Sequence, residues 1–249
     1  MSGHSKWSTI KRKKGAADSK RSKLFSKLVK DITIAVKESG NDPDSNPRLR
    51  LAISLAKNAS MPKDNILRAI KKGDDKDSAN YTELNYEGYA PHGIAVFVEC
   101  TTDNTQRTVA NVRALFNKYS GSLGKNGSLS FIFDRKGIFS FPTGDLDMDE
   151  IELEIIDAGA EDFEVEDGIA TVTTGLEDFG SMMKKLEELN IEPETAELQR
   201  IPNNTEALDV ETSKKVLKMI EAFDEDDDVV NVFHNLEMTE DLQAALEED

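Results

Sequence analysis

Residues Lys11-Arg-Lys-Lys14, and a row of cations at Lys20, Lys23, Lys27 and Lys30, are the part of this sequence whose type and spacing most plainly define a chemistry. Several ammonium and guanidinium groups gathered on one surface neutralise phosphates and displace their counterions, whatever the base sequence. Residues 1–30 hold ten Lys or Arg and one acid, Asp18, in a chain whose formal charge is −17. The split is sharp. Residues 1–80 carry a net +10 and residues 81–249 a net −27. Such asymmetry marks a polyanion-binding region joined to an acidic body. The basic excess continues through Arg48, Arg50, Lys57, Lys63, Arg68, Lys71 and Lys72. Lys6, Arg21 and Trp7 sit among the same cations. Trp7 either stacks on an unpaired base or anchors the arm in a helical core.

Lys outnumbers Arg by 14 to 5 in residues 1–80. Arg is the better bidentate reader of guanine edges, so the expected recognition is of backbone and shape, with weak sequence preference. That expectation suits RNA as well as DNA. The site it assigns comprises Lys6, Trp7, Lys11, Arg12, Lys13, Lys14, Lys20, Arg21, Lys23, Lys27, Lys30, Arg48, Arg50, Lys71 and Lys72.

Other chemistries find little support. His4, His92 and His234 are scattered and have no Cys or His at metal-ligand spacing, and Cys100 is the single cysteine. Neither a metal site, a cofactor site nor a disulfide is expected. Gly121-Ser-Leu-Gly-Lys-Asn-Gly127 resembles a phosphate loop but misses its spacing, and Asn126 stands where Ser or Thr must follow the lysine. It reads as a helix cap and connector. Asp224-Glu-Asp-Asp-Asp228 opens like a calcium loop, yet its sixth position is Val229 and its twelfth Asn235, so it reads as a solvated loop. The chain is expected not to be an enzyme. Apolar runs such as Ile94-Ala-Val-Phe-Val98 are far too short to span a bilayer, and no apolar segment follows the basic start. A cytoplasmic location is expected.

The elements that must position the cations follow from periodicity. Leu24, Phe25, Leu28, Val29, Ile32, Ala35 and Val36 recur at helical spacing and predict a helix from about Asp18 to Glu38, with the lysines on the opposite side. Asn46 as cap and Pro47 at the first helical position predict a second helix through Lys57. A third runs from Pro62 to Gly73, with Ile66, Leu67 and Ile70 inward. Residues 1–80 therefore read as a basic three-helix bundle.

From Tyr81 the period changes to that of strands: Tyr81–Tyr89 and Ile94–Cys100, joined through Ala90-Pro-His-Gly93. A helix through Val109–Phe116 and a strand Leu129–Phe133 follow. Gly137–Thr195 and beyond then gives β-α-β-β-α-β, a ferredoxin-like order, and a helix capped by Asp209 and a strand Val229–Leu236 complete the pattern. The expected fold is α+β and multidomain. A helical bundle (1–80) precedes a discontinuous α+β domain (81–134 plus 205–249), into which a ferredoxin-like domain (135–204) is inserted.

Gly3-His-Ser-Lys-Trp7, Lys11-Arg-Lys-Lys-Gly-Ala-Ala-Asp18, Asn46-Pro-Arg-Leu-Arg50, Met61-Pro-Lys-Asp-Asn-Ile66, Tyr86-Glu-Gly-Tyr89, Thr102-Asp-Asn104 with Arg107-Thr-Val109, Phe133-Asp-Arg-Lys-Gly137, Ile201-Pro-Asn-Asn-Thr205 and Val232-Phe-His-Asn235 together resemble the YebC/PmpR family. The resemblance covers nearly the whole chain. It implies the same three-domain architecture and a promoter-binding regulator of transcription. It equally implies the ribosome-linked role of other members, which relieve stalling on proline-rich sequence, and of mitochondrial relatives that activate translation of an oxidase subunit. The implied partner is promoter DNA on one reading and ribosomal RNA or tRNA on the other. A third reading, of a different class, is an acidic adaptor that docks proteins on its α+β domains. No membrane partner is expected.

Overall fold

The computed structural model describes residues 17–75, 80–144 and 146–247. It is an α+β chain with two four-stranded antiparallel sheets and an N-terminal helical region. The described residues fall into two compact units, those of Met1–Lys30, Asp77–Asp134 and Ile201–Asp249 in one and those of Asp31–Lys76 and Arg135–Arg200 in the other.

Among the described residues three helices come first: α1 (Ala17–Ser39), α2 (Pro47–Asn58) and α3 (Lys63–Asp74). α1 contributes its first part to one unit and its last part to the other. The start of α2 is built as its sequence predicts. The Asn46 side-chain oxygen accepts from Leu49 N at 3.0 Å, and Pro47 occupies the first turn, where a missing N–H costs nothing. The Asn46 amide also donates to Ala35 O (2.7 Å) and Gly40 O (2.8 Å), so one buried side chain ties the end of α1 to the start of α2. α1 and α3 meet closely at Gly73, where a Cβ would lie 2.7 Å from Val36 Cβ and 2.8 Å from Thr33 O. Leu67 and Leu24 are exposed, and Ala69 takes the inward place expected of Leu67.

In the first unit, β1 (Thr82–Tyr89), β2 (Ala95–Thr102), β3 (Ser122–Leu123) and a late strand form a sheet in the order β3-β1-β2-late strand. That late strand is Val229–His234, the eighth of the chain. β2 is buried on both faces, which its near-continuous apolar run requires. Val96, Val98 and Cys100 face a core with Val112 and Phe116 of α4 (Thr105–Lys118) and with the Val210–Asp224 helix, while Ala95 and Phe97 face Leu129, Phe133 and Phe233.

The Leu129–Phe133 segment, expected as a strand, is instead a run of turns up to Ile132. The third strand of this sheet is the short Ser122–Leu123, paired with Gly88 and Tyr89. The reason is a tertiary bond. Glu87, only 6% exposed, accepts from Gly127 N (2.7 Å) and Leu129 N (2.6 Å), which curls the backbone away from a ladder. Gly88 and Gly121 supply the close approach beside it, since a Cβ on either would collide with backbone oxygen of Ser122 or Tyr89.

The second unit holds β4 (Phe133–Pro142, from Arg135 onward), α5 (Met148–Asp157), β5 (Ala160–Glu166), β6 (Ile169–Gly175), α6 (Phe179–Glu188) and β7 (Thr195–Pro202, up to Arg200). Its sheet order, β5-β6-β4-β7, is the ferredoxin-like order for β-α-β-β-α-β. Phe139, Phe141, Ile155, Val172, Met182 and Leu186 form its core, against which Leu51 of α2 packs. Asn58 donates to Pro193 O at 3.0 Å in the same unit. The chain closes with α7 (Val210–Asp224, capped by Asp209), β8 (Val229–His234) and α8 (Glu240–Glu247). α8 was not expected from the sequence. Its Leu242 and Leu246 are spaced four apart and complete the first core. No described helix is long and apolar enough to cross a membrane.

Candidate nucleic-acid interface

The cations predicted on α1 divide into two kinds. Arg21 is exposed, with its guanidinium 5.3 Å from the Phe25 ring centroid. Lys23 is half-buried, its Nζ out of solvent. Lys27 donates to Asn231 Oδ1 (2.8 Å), and the Asn231 amide donates onward to Glu99 Oε2 (3.0 Å). Lys30 donates to Thr101 O (2.9 Å) and Asp227 O (2.6 Å), and stands 5.9 Å from the Tyr81 ring centroid. Lys27 and Lys30 thus fasten α1 to the polar end of the first unit's sheet, a role the helical wheel did not reveal. Lys20 lies in α1, but its side chain falls outside the described residues, as do Lys6, Trp7, Lys11, Arg12, Lys13 and Lys14 altogether.

On α2 and α3 the cations stay in water. Arg50, Lys71 and Lys72 are exposed, and Arg48 is exposed while paired with Glu38 at 2.7 Å. Arg68, likewise exposed, folds back along its own helix and donates to Asp64 O and Asn65 Oδ1. An exposed pair such as Arg48–Glu38 contributes little to stability and can be exchanged for a phosphate.

Beside the anchorage of α1 lies a second polar cluster. Asp228, 4% exposed, accepts from Arg107 through both carboxylate oxygens (2.7 and 2.9 Å) and from the Thr108 hydroxyl (2.9 Å). Burial acts to raise the Asp228 carboxyl, but the Arg107 and Thr108 bonds, with the charges of Arg107 and Lys30, hold it below its ordinary value. Arg107 is held protonated even more firmly than usual, first by Asp228 and then by Asp103. Burial pushes the Cys100 thiol up to about 12, and the Asp226 and Asp228 carboxylates add to it. The arrangement is a rivet between the start of α4 and the loop before β8. Sequence reasoning took Asp224–Asp228 as solvated; only the pattern Thr102-Asp-Asn104 with Arg107 signalled an order here. Glu87 was missed for a similar reason, since an acid on a strand reads as surface.

Comparison with known proteins places the whole chain. Residues 5–76 match the family description "TACO1/YebC protein N-terminal domain" and residues 81–236 match "TACO1/YebC second and third domain". A relative from Amoebophilus asiaticus is 56% identical over 239 residues, covering 95% of this chain and 98% of its own. One from Treponema denticola is 50% identical over 244 residues, covering 98% and 99%, and one from Chlorobaculum parvum is 49% identical over 251 residues, covering all of both. Each of the three carries the name probable transcriptional regulatory protein. The crystal structure of a conserved hypothetical protein from Aquifex aeolicus superposes with a TM-score of 0.80 at 41% identity, over 90% of this chain and 93% of that one. With both family descriptions matched in order along the chain and close relatives aligned end to end, this protein belongs to the TACO1/YebC family.

Proposed function

We propose that this protein regulates gene expression without catalysis, by binding DNA through phosphate contacts of its basic N-terminal region. The observation that carries the reading is the charge division, +10 over residues 1–80 against −27 over the remainder. A solvated helix face accounts for one row of lysines, but not for a basic region maintained against so acidic a body. The names of the relatives support a regulatory role. The ligand surface comprises Lys6, Trp7, Lys11–Lys14, Lys20, Arg21, Arg48, Arg50, Lys71 and Lys72. Lys27 and Lys30 serve it as anchors, because their ammonium groups already have acceptors in the chain. The acidic α+β domains position that surface and repel stray nucleic acid. The one cysteine is a buried free thiol, which suits a reducing compartment, and we assign the protein to the cytoplasm.

The test is the salt dependence of duplex binding. With about six phosphates neutralised, log K falls against log salt with a slope of about −5. Charge reversal at Lys71 and Lys72 lowers that slope without unfolding the chain. A flat salt response overturns the phosphate reading in favour of the protein adaptor. Preferential binding of structured ribosomal RNA over duplex DNA at equal salt moves the same surface to translation.

A further inference from the structure

The loop between β3 and β4 holds Phe131, 72% exposed and the most exposed of the large apolar residues described. Isolated apolar side chains on a surface are ordinary. This one differs in how firmly its backbone is fixed. Upstream, the buried Glu87 carboxylate binds Gly127 N and Leu129 N, and Ser130 Oγ donates to Gly127 O at 2.9 Å. At the residue itself, Asn203 Nδ2 donates to Phe131 O (3.3 Å), and Asn203 N donates to Ile132 O (2.8 Å). Downstream and upstream neighbours Leu129, Ile132 and Phe133 are packed into the core beneath. A buried carboxylate and a second chain segment therefore hold in place a loop that turns one aromatic ring out to water.

The exposed polar groups of these two segments are mainly neutral amides and hydroxyls, with Lys125 as a cation and with Asp134 and Glu206 as acids at their ends. Lys125, Asn126 and Ser130 are exposed on the same loop, and Asn203, Asn204 and Thr205 are exposed on the segment bonded to it. The single bond from Asn203 to Phe131 leaves that amide a carbonyl oxygen and a further N–H. An aromatic face, neighbouring amides able both to donate and to accept, and one cation are the groups that receive an unpaired base: a ring to stack on, amides for the base edge, a lysine for the adjoining phosphate. An apolar protein partner would instead meet a polar rim and a single exposed aromatic, with no second large apolar side chain exposed on this loop.

We infer that Phe131, with Asn203, Asn204 and Lys125, forms a stacking site for an unpaired base of single-stranded nucleic acid. The site deepens the nucleic-acid reading above and adds a preference that the basic helices do not provide. It would let the protein distinguish an opened or looped strand from a closed duplex.

The test compares two probes on the full-length protein, an oligothymidine or oligouridine of about twelve nucleotides and a closed duplex of similar length, each by fluorescence anisotropy. Phe131→Leu keeps the apolar bulk and removes the stacking face. It weakens single-strand binding about tenfold, the loss of one base stack, and leaves the duplex affinity unchanged. Phe131→Tyr retains single-strand binding. Because Asn203 bonds the backbone of residue 131, neither variant disturbs the loop, and unchanged thermal melting verifies this. Equal loss on both probes, no loss on the single strand, or no single-strand binding by the native protein overturns the inference. Charge reversal at Lys71 and Lys72 weakens both probes together, so failure of the phosphate surface and failure of the stacking site give different patterns.

Discussion

Asn46→Asp is a sharp test of how the N-terminal helices are joined. As helix caps, Asn and Asp are about equal, so a residue that merely capped α2 would tolerate the change. Asn46 does more: it is 1% exposed, and its amide donates to Ala35 O and Gly40 O at 2.7 and 2.8 Å. Aspartate keeps the acceptor for Leu49 N but turns both donors into a carboxylate oxygen facing two carbonyls. Two lost hydrogen bonds cost about 2 kcal/mol, and burying a charge among acceptors adds roughly 1–3 kcal/mol. The expected loss is about 3–5 kcal/mol, a large share of the stability of an ordinary domain. Urea unfolding followed by circular dichroism measures it as a lower midpoint at unchanged m. The sign of its pH dependence is fixed by the same geometry. A carboxyl placed there has its folded pKa raised above the unfolded value of about 4, so the deficit is full at neutral pH and fades as pH falls toward that value, where the protonated group again donates. Stability within about 0.5 kcal/mol of the native chain at neutral pH would refute the tether and reduce Asn46 to a cap.

Three further outcomes follow from the polar clusters of the first unit. Asp228 is held below its ordinary value, so its contribution is present above that value and lost as pH falls through the lower folded one; Asp228→Asn starts less stable at neutral pH and shows a shallower acid limb. Parallel acid limbs in the two proteins would show that the Arg107 pairing contributes nothing. Cys100, buried with its thiol at about 12, resists iodoacetamide in the native chain and reacts once urea unfolds it; native labelling at the rate of free cysteine would contradict its burial. Lys30→Met strands two carbonyl acceptors, Thr101 O and Asp227 O, and therefore lowers stability while leaving the salt slope of nucleic-acid binding unchanged. A reduced slope with native stability would make Lys30 a phosphate ligand after all.

Much of the architecture was legible because it is written in local signals. Asn46-Pro47 and Asp209 marked helix starts that the structure uses, and the alternation of periods from Gly137 onward gave the β-α-β-β-α-β order whose sheet is now seen. The failures came where tertiary bonds overrule such signals. Leu129–Phe133 has the composition of a strand, but the Glu87 carboxylate from β1 captures the backbone N–H of Leu129 and that of Gly127 just before it. Leu242 and Leu246 carry helical spacing over too short a stretch to signal a helix alone; burial against the first core decides in favour of α8.

The same reason limits what a helical wheel can say about a binding surface. Periodicity placed Lys27 and Lys30 opposite the apolar face of α1, which is correct as geometry. It carried no knowledge of what would lie against that side, namely Asn231, which in turn binds Glu99, and the carbonyls of Thr101 and Asp227. Neutral acceptors of the body thus engage part of the basic charge that the sequence offers to a polyanion. The consequence is that Lys27 and Lys30 hold the helix to its own unit, and only the remaining cations belong to the phosphate surface proposed above. The acidic body is then not simply a remainder beside the basic region, since its own acceptors engage two of the lysines of α1.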